Sequence, residues 1–163
     1  MIELRRARED EWAAVGELTA GAYLADGAMA ADDPYYGVLR DAASRAREAD
    51  LWVAVDGDGA LLGTVTWCPP GSSYRELATP EESEFRTLAV APAGRGQGVG
   101  GMLVRQCIRL ATEAGSTRVV ISSAQWMSTA HRLYRRLGFV PAPERDWSPR
   151  PDVRLIAMVR PLP

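Results

Sequence analysis

The stretch EFRTLAVAPAGRGQGVGG, residues 84–101, carries the strongest structural signal in the chain. Glu84 to Val90 is rich in β-branched and large apolar side chains, which suits a strand, and Pro92 cannot donate to a sheet ladder, so the strand ends near Ala91. Gly94, Gly96, Gly98 and Gly100 then fall at alternate positions. Lacking a Cβ, they permit positive φ and let backbone amides approach a ligand closely. From Val99, the apolar residues Val99, Met102, Leu103, Cys107, Leu110, Ala111 and Ala114 recur at helical spacing, with Arg105, Arg109 and Glu113 on the other side. A helix therefore opens at the glycines. Its free N–H groups, its dipole and Arg95 together make an anion site suited to phosphate. The plainer alternative is a tight strand-to-helix turn, although four alternate glycines and an arginine exceed what a turn requires.

The helix continues Gly100-Gly101-Met102, without the lysine and hydroxyl that end a P-loop, which argues against a nucleoside triphosphate site. Gly96, Gly98 and Gly101 satisfy G-x-G-x-x-G, but a dinucleotide fold also wants an acidic residue about 20 positions on to hold the ribose. The chain has no Asp or Glu between Glu113 and Glu144, which weakens that alternative.

Arg95, Gly98 and Gly100 fill a signature of Arg or Gln, two variable residues, Gly, one variable residue, then Gly or Ala, and so the segment resembles the GCN5-related N-acetyltransferase (GNAT) family. A second element strengthens the resemblance: Ala130, Leu133, Tyr134, Gly138 and Phe139 match the family's downstream A-x-x-L-Y-x-x-x-G-F helix. The resemblance implies a mixed α/β fold, with a central, partly antiparallel sheet of six or seven strands and about four helices, splayed between the fourth and fifth strands. It implies acetyl-CoA as co-substrate: the backbone of Leu88, Ala89 and Val90 would pair with the pantetheine arm, and Arg95, Gly96, Gln97, Gly98, Val99 and Gly100 would hold its pyrophosphate. Tyr134 matches the family tyrosine near the cofactor sulfur, and Glu84, at the start of the central strand, lies where some relatives place a general base acting through water. The oxyanion donor would be the N–H of Ala89 or Val90. Many relatives carry Asn three residues before the alanine of the second motif; Met127 stands there, so that polar contact is missing or comes from elsewhere, with Ser123 and Ser128 the neighbouring hydroxyls.

A length of 163 residues suits one domain over residues 1–163, and 47% hydrophobic and 25% charged residues are ordinary. A formal charge of −2 makes no field for nucleic acid or an acidic membrane. Cys68 and Cys107 form no C-x-x-C and His131 is the single histidine, so no metal cofactor is expected. No signal-like apolar region opens the chain, and no run approaches the about 18 apolar residues of a membrane helix. The expectation is a cytoplasmic protein, monomer or homodimer, with acetyl-CoA and an amine acceptor as partners.

Elsewhere, Ile2 to Arg8 alternates as an edge strand, and Asp10 is placed to cap a helix through Trp12, Val15, Leu18, Ala22 and Tyr23 that ends at Gly27. Asp33 with Pro34 starts another, burying Tyr36, Leu39, Ala43 and Ala46 and exposing Arg40, Asp41, Arg45 and Arg47. Leu51 to Val55, Asp-Gly-Asp-Gly and Leu61 to Trp67 form a hairpin, followed by a polar excursion to Ser83. Val119 to Ser123 is the next strand, parallel to the central one by its crossover helix. Ser128 then caps a helix with Ala130, Leu133, Tyr134 and Leu137 inward, and His131 outward. Phe139 to Ala142 and Val153 to Val159 close the sheet around the loop ERDWSPRPD, residues 144–152. That loop offers Asp146 and Trp147 as an acceptor site for a cationic amine, by ion pairing and cation–π contact; the alternative is an exposed turn with Trp147 against the core.

Acetyl transfer needs a deprotonated amine, an N–H for the developing oxyanion and a proton for the leaving thiolate. A phenol of pKa about 10 can protonate a thiolate of pKa about 8.5, the role open to Tyr134, whose other role is aromatic packing. Two further classes remain: a non-catalytic acyl-CoA-binding module, and a nucleotide-dependent oxidoreductase.

Overall fold

Strands β1 (Glu3–Arg6), β2 (Asp50–Val55), β3 (Leu61–Cys68), β4 (Glu82–Val90), β5 (Arg118–Ala124), β6 (Val140–Pro141), β7 (Trp147–Arg150) and β8 (Val153–Pro161) form one sheet in the order β1-β2-β3-β4-β5-β8-β6, with β7 also on β8. The computed structural model describes residues 1–27 and 29–163. Helices α1 (Trp12–Ala25), α2 (Tyr35–Arg40), α3 (Ala42–Glu48), α4 (Val99–Glu113) and α5 (Ser128–Arg136) cover it. The β4–β5 pair is parallel, as the α4 crossover requires, and the other strand pairings are antiparallel.

Period-two alternation sorts side chains between the two faces. Leu51, Val53 and Val55 of β2 pack with Val15 of α1 and Ala42 of α3, while Ala54 joins Val65, Phe85, Leu103, Val104, Cys107 and Phe139 beneath α4. The hairpin turn forms as its residues dictate: the Asp56 carboxylate accepts the N–H groups of Asp58 and Ala60, and Gly59 takes φ +84°.

Five expectations change. Ser128 does not cap α5 but is its first residue; Met127 is the N-cap, and no side chain caps the turn. The single helix from Asp33 is broken: Asp41 leaves helical φ and ψ and caps α3 by accepting the Ser44 N–H. That break resets the helical phase, so Arg45 turns inward, only 2% exposed, where it donates to Val38 O at 3.0 Å and reaches Thr19 Oγ1. Asp10 caps nothing; a short 3-10 turn, Glu9–Glu11, intervenes, and the Glu11 carboxylate accepts the Arg8 N–H. The ERDWSPRPD stretch is no simple loop: residues 147–150 make β7, which tolerates Pro149 because it is an edge. His131 is buried, because a residue three positions before Tyr134 lies only about 60° away on the helix.

One buried carboxylate ties the sheet to its loops. Glu82 is wholly inaccessible and accepts hydrogen bonds from the Thr79 N–H at 3.0 Å and from both terminal nitrogens of Arg145 at 2.9 Å, while Arg118 Nε forms an ion pair with it at 3.0 Å. Burial opposes its ionisation, but Arg145, Thr79 and Arg118 outweigh burial and hold its pKa at about 2, below the ordinary 4.5. A depressed pKa stabilises the fold fully above pH 4.5, and that contribution is lost as pH falls through about 2. Glu82→Gln is therefore expected to lower stability at pH 7 by about 3 kcal/mol in urea unfolding, with the gap to wild type narrowing as pH drops from 4.5 toward 2. A gap independent of pH would show that shape, not charge, matters at this position.

Candidate active site

The β4–β5 ladder pairs only Glu82 with Arg118, Ser83 with Val119 and Glu84 with Val120, after which the strands part. On its other side β4 continues to pair with β3 as far as Val90, and β5 pairs with β8 along its length. The divergence coincides with a bulge: Thr87 takes φ +52°, the β3–β4 register shifts there, and the Thr87 and Thr66 hydroxyls hydrogen-bond. Beyond the bulge, Ala91 N–H donates to Leu62 O, so by strand alternation the N–H groups of Leu88 and Val90 point into the gap and that of Ala89 points to β3.

At the end of β4 the glycine loop turns into α4. Gly96 and Gly98 take φ +76° and +75°, and Gly98 is the N-cap. Nothing lies within 4 Å of where their Cβ atoms would be, and residues 95–98 are exposed, so backbone amides line an open concavity at a helix N-terminus. Gly94 has another reason to be glycine, since its Cβ would meet Leu62 O at 2.5 Å. Gly100 packs under Leu133 of α5, whose Cδ2 would stand 3.1 Å from its Cβ, locking α4 to α5. Arg95 is half exposed and lies 3.4 Å from Asp26. Gln97 folds its side chain back onto Ala93 O.

A cavity of ≈ 550 Å³ occupies the gap. Phe85 to Leu88 of β4 form one wall, Ile121 to Ala124 of β5 another, and Tyr134 and Met127 close one end. Tyr134 is 6% exposed and packs edge-on against Phe85 and at a tilt against Phe139; burial, with Cys107 adding, pushes its phenol well above the usual range. It is protonated at neutral pH. Ser123 sends its hydroxyl to Met127 Sδ at 3.7 Å, a weak contact.

Glu84 does not face this cavity. Its carboxylate is wholly buried and accepts N–H groups from Glu76 at 3.1 Å and from Leu77 and Ala78 at 2.9 Å, pinning the excursion after β3. Asp146 and Trp147 also lie outside the lining: Asp146 accepts the Ala157 N–H at 2.8 Å, and Trp147 pairs with Leu155 with its indole Nε1 buried. The same hairpin sends Pro149, Arg150, Asp152 and Val153 to the cavity instead. Tyr35 lines the cavity and Tyr36 does not; the latter sits under the Arg40 guanidinium.

Residues that sequence reasoning missed stand in their place. Glu76 lines the cavity and lies 3.0 Å from Arg86 Nε, and Arg86 also donates to Tyr74 O and stacks 4.1 Å over the Tyr74 ring. Burial raises the pKa of Glu76, Arg86 opposes this and Glu84 adds to it, so the net shift is upward. The available signal was Arg86 itself, a guanidinium two residues after Glu84 in a central strand, where charged side chains need partners. Among the described residues no helix is long and apolar enough to cross a membrane.

Residues 12–139 match the family described as "Acetyltransferase (GNAT) family". N-acetyltransferase 8 of Rattus norvegicus is 34% identical over 125 residues, covering 72% of this chain and 52% of that protein. The chain spans about half the length of the curated relatives it matches. Among solved structures, a GCN5-related N-acetyltransferase from Kribbella flavida is 27% identical with a TM-score of 0.72, covering 99% of this chain and 98% of that one. A protein from Salmonella typhimurium, solved with its cofactor acetyl-CoA, has a TM-score of 0.70 at 21% identity, covering 100% and 95%. A parted parallel strand pair, a glycine loop at its mouth and a family match over most of the length agree: the chain belongs to the acetyltransferase (GNAT) family.

Proposed function

We propose that this chain is an acetyl-CoA-dependent N-acetyltransferase that acylates a primary amine, through a single catalytic domain over residues 1–163. The observation that carries the reading is continuity along β4: its free N–H edge and Tyr134 border one gap between β4 and β5, and the same strand runs directly on into the open glycine loop at Gly96 and Gly98. The residues fit the donor molecule on structural grounds. The concavity is open where a Cβ would intrude, and Arg95 supplies a cation beside it, as a pyrophosphate requires. The names of the relatives, N-acetyltransferases and a protein solved with acetyl-CoA, point the same way.

When bound, acetyl-CoA supplies an activated acyl group on a good leaving thiol. The chain's own residues do the rest. The N–H groups of Leu88 and Val90 hydrogen-bond the donor along the open edge, and Val90 N–H is the stronger candidate for the developing oxyanion than Ala89 N–H, which points to β3. Tyr134 Oη, protonated at neutral pH, gives a proton to the sulfur as negative charge develops on it. Phe85 and Phe139 fix the phenol ring by edge and tilted contacts and leave its hydroxyl at the cavity end.

Gly98→Asp combines an L side chain at φ +75° with a carboxylate facing the pyrophosphate. Calorimetric titration is expected to show acetyl-CoA binding lost in a protein that retains its far-UV spectrum; unchanged affinity would remove this loop as the donor site. Tyr134→Phe is expected to lower kcat by about 100-fold while the acetyl-CoA dissociation constant stays within about twofold. Thiol release at the wild-type rate would dismiss the general-acid role.

A further inference from the structure

Building on the acetyl-transfer reading, we infer that Glu76 rather than Glu84 accepts the proton from the acceptor, and that the acceptor is a primary amine on an apolar, aromatic-sized body bearing no carboxylate. Glu84 is fully enclosed by three main-chain N–H groups, so it has no direct access to an incoming amine. Those N–H groups belong to Glu76, Leu77 and Ala78, which makes Glu84 the clamp that fixes Glu76 at the cavity wall. There Glu76 keeps a side chain 24% exposed, in the cavity that also holds Tyr134.

Arg86 orients Glu76 without depending on it. The guanidinium is held independently by Tyr74 O and the Tyr74 ring, so only its Nε edge meets the Glu76 carboxylate. The charged groups facing Glu76 are Arg86 and Glu84, both on β4, with Tyr74 beside them. Burial, with Glu84 adding and Arg86 opposing, leaves the Glu76 carboxyl above its ordinary 4.5, a better base than a solvated glutamate.

The acceptor class follows from the lining. Asp33, Glu76 and Asp152 face two guanidinium groups, those of Arg86 and Arg150, and Arg150 lies 3.2 Å from Asp33 and 3.6 Å from Asp152. Both cations are already matched and one carboxylate is in surplus, so an ammonium is favoured and a second carboxylate is opposed. Apart from the hydroxyls of Thr87, Ser122 and Ser123, the rest of the wall is apolar and aromatic, with Tyr23, Tyr35, Met29 and Leu155 inside. Val38 and Trp126 stand 48% and 46% exposed where they line it, an uncovered apolar rim suited to an aromatic body.

In the step, the ammonium yields one proton to a Glu76 carboxylate oxygen and the freed nitrogen forms the C–N bond to the acetyl carbon as the C–S bond breaks. The sulfur takes a proton from Tyr134 Oη, and Tyr134 recovers one from the nitrogen as the amide forms. The products are amide, free thiol and one proton delivered to solvent through Glu76.

The test compares phenylethylamine, tryptamine and phenylalanine as acceptors by thiol release, in wild type, Glu76→Gln, Glu76→Asp and Glu84→Gln, with acetyl-CoA binding measured by calorimetry in each. Wild type is expected to favour phenylethylamine over phenylalanine by at least about tenfold in kcat/KM. Glu76→Gln should lose about 100-fold in kcat and the acidic limb of the pH profile, with acetyl-CoA affinity unchanged; Glu76→Asp should restore part of both. Glu84→Gln should lower the melting temperature yet keep the acidic limb. Loss of the limb in Glu84→Gln but not in Glu76→Gln, or equal use of phenylalanine, overturns the inference while leaving acetyl transfer standing. Failure of wild type to bind acetyl-CoA overturns the acetyl-transfer reading itself.

Discussion

The β4–β5 ladder stops after three residue pairs, and everything functional in this molecule is arranged around that stop. A parallel pair that stayed closed would satisfy its own backbone groups and leave no room between the strands. Parting them leaves the N–H and C=O groups of Leu88 and Val90 without strand partners, which an amide-bearing chain can supply by adding itself as a strand. The bulge at Thr87 is where β4 turns away. A β-branched residue at positive φ costs on the order of 1–3 kcal/mol, and the Thr66 hydroxyl bond and the continuing β3 ladder help hold it there. The strand that bends is the one that leads directly into the glycine loop.

Below the bulge, β4 is held by an unusual face. Glu82, Glu84 and Arg86 share one side of the strand by period two, and along it they bind successive parts of one loop. Glu82 takes Thr79, Glu84 takes Glu76, Leu77 and Ala78, and Arg86 takes Glu76 and Tyr74. Three charged side chains in a central strand would be prohibitive without partners; here the loop backbone and Arg145 satisfy the two carboxylates, and Glu76 and Tyr74 the guanidinium. The opposite side of the same strand sends Phe85 into the hydrophobic core against Tyr134. One strand thus fixes both the acid side of the cavity and its carboxylate wall.

The donor half of this arrangement was legible in the sequence because its physics is local. Alternate glycines, a proline stop and a helical apolar stripe are signals read over a dozen residues, and β4, the loop and α4 appear where they imply. The acceptor half depends on contacts far apart in the chain. Arg145 reaches Glu82 across 63 positions and Arg150 reaches Asp33 across 117, distances at which no periodicity speaks. Glu84 shows the same limit: an acidic residue at the head of a central strand suggests a base, and only the folded loop shows its oxygens enclosed by main-chain N–H groups. Arg45 and His131 were misplaced by helical phase, the first because the break at Asp41 reset it, the second because three residues return nearly a full turn.

The division between these halves also explains how one fold can be retuned. The proposed donor side is made of backbone: amides of the glycine loop and of β4, whose positions are set by φ angles and sheet pairing rather than by side-chain identity. The acceptor side is made of side chains carried by short helices, the excursion and the β7–β8 hairpin, joined by ion pairs at half-exposed positions such as Arg150 with Asp33 and Asp152. Exposed ion pairs of this kind contribute little to stability, so exchanging them costs the fold little. The buried pair of Glu82 with Arg145 lies below the cavity, outside its lining, where it keeps the loop registered while the residues above it vary. Stability and selectivity are therefore carried by different charges on the same face of β4, and a change in acceptor can be made at the rim without disturbing the clamp beneath it.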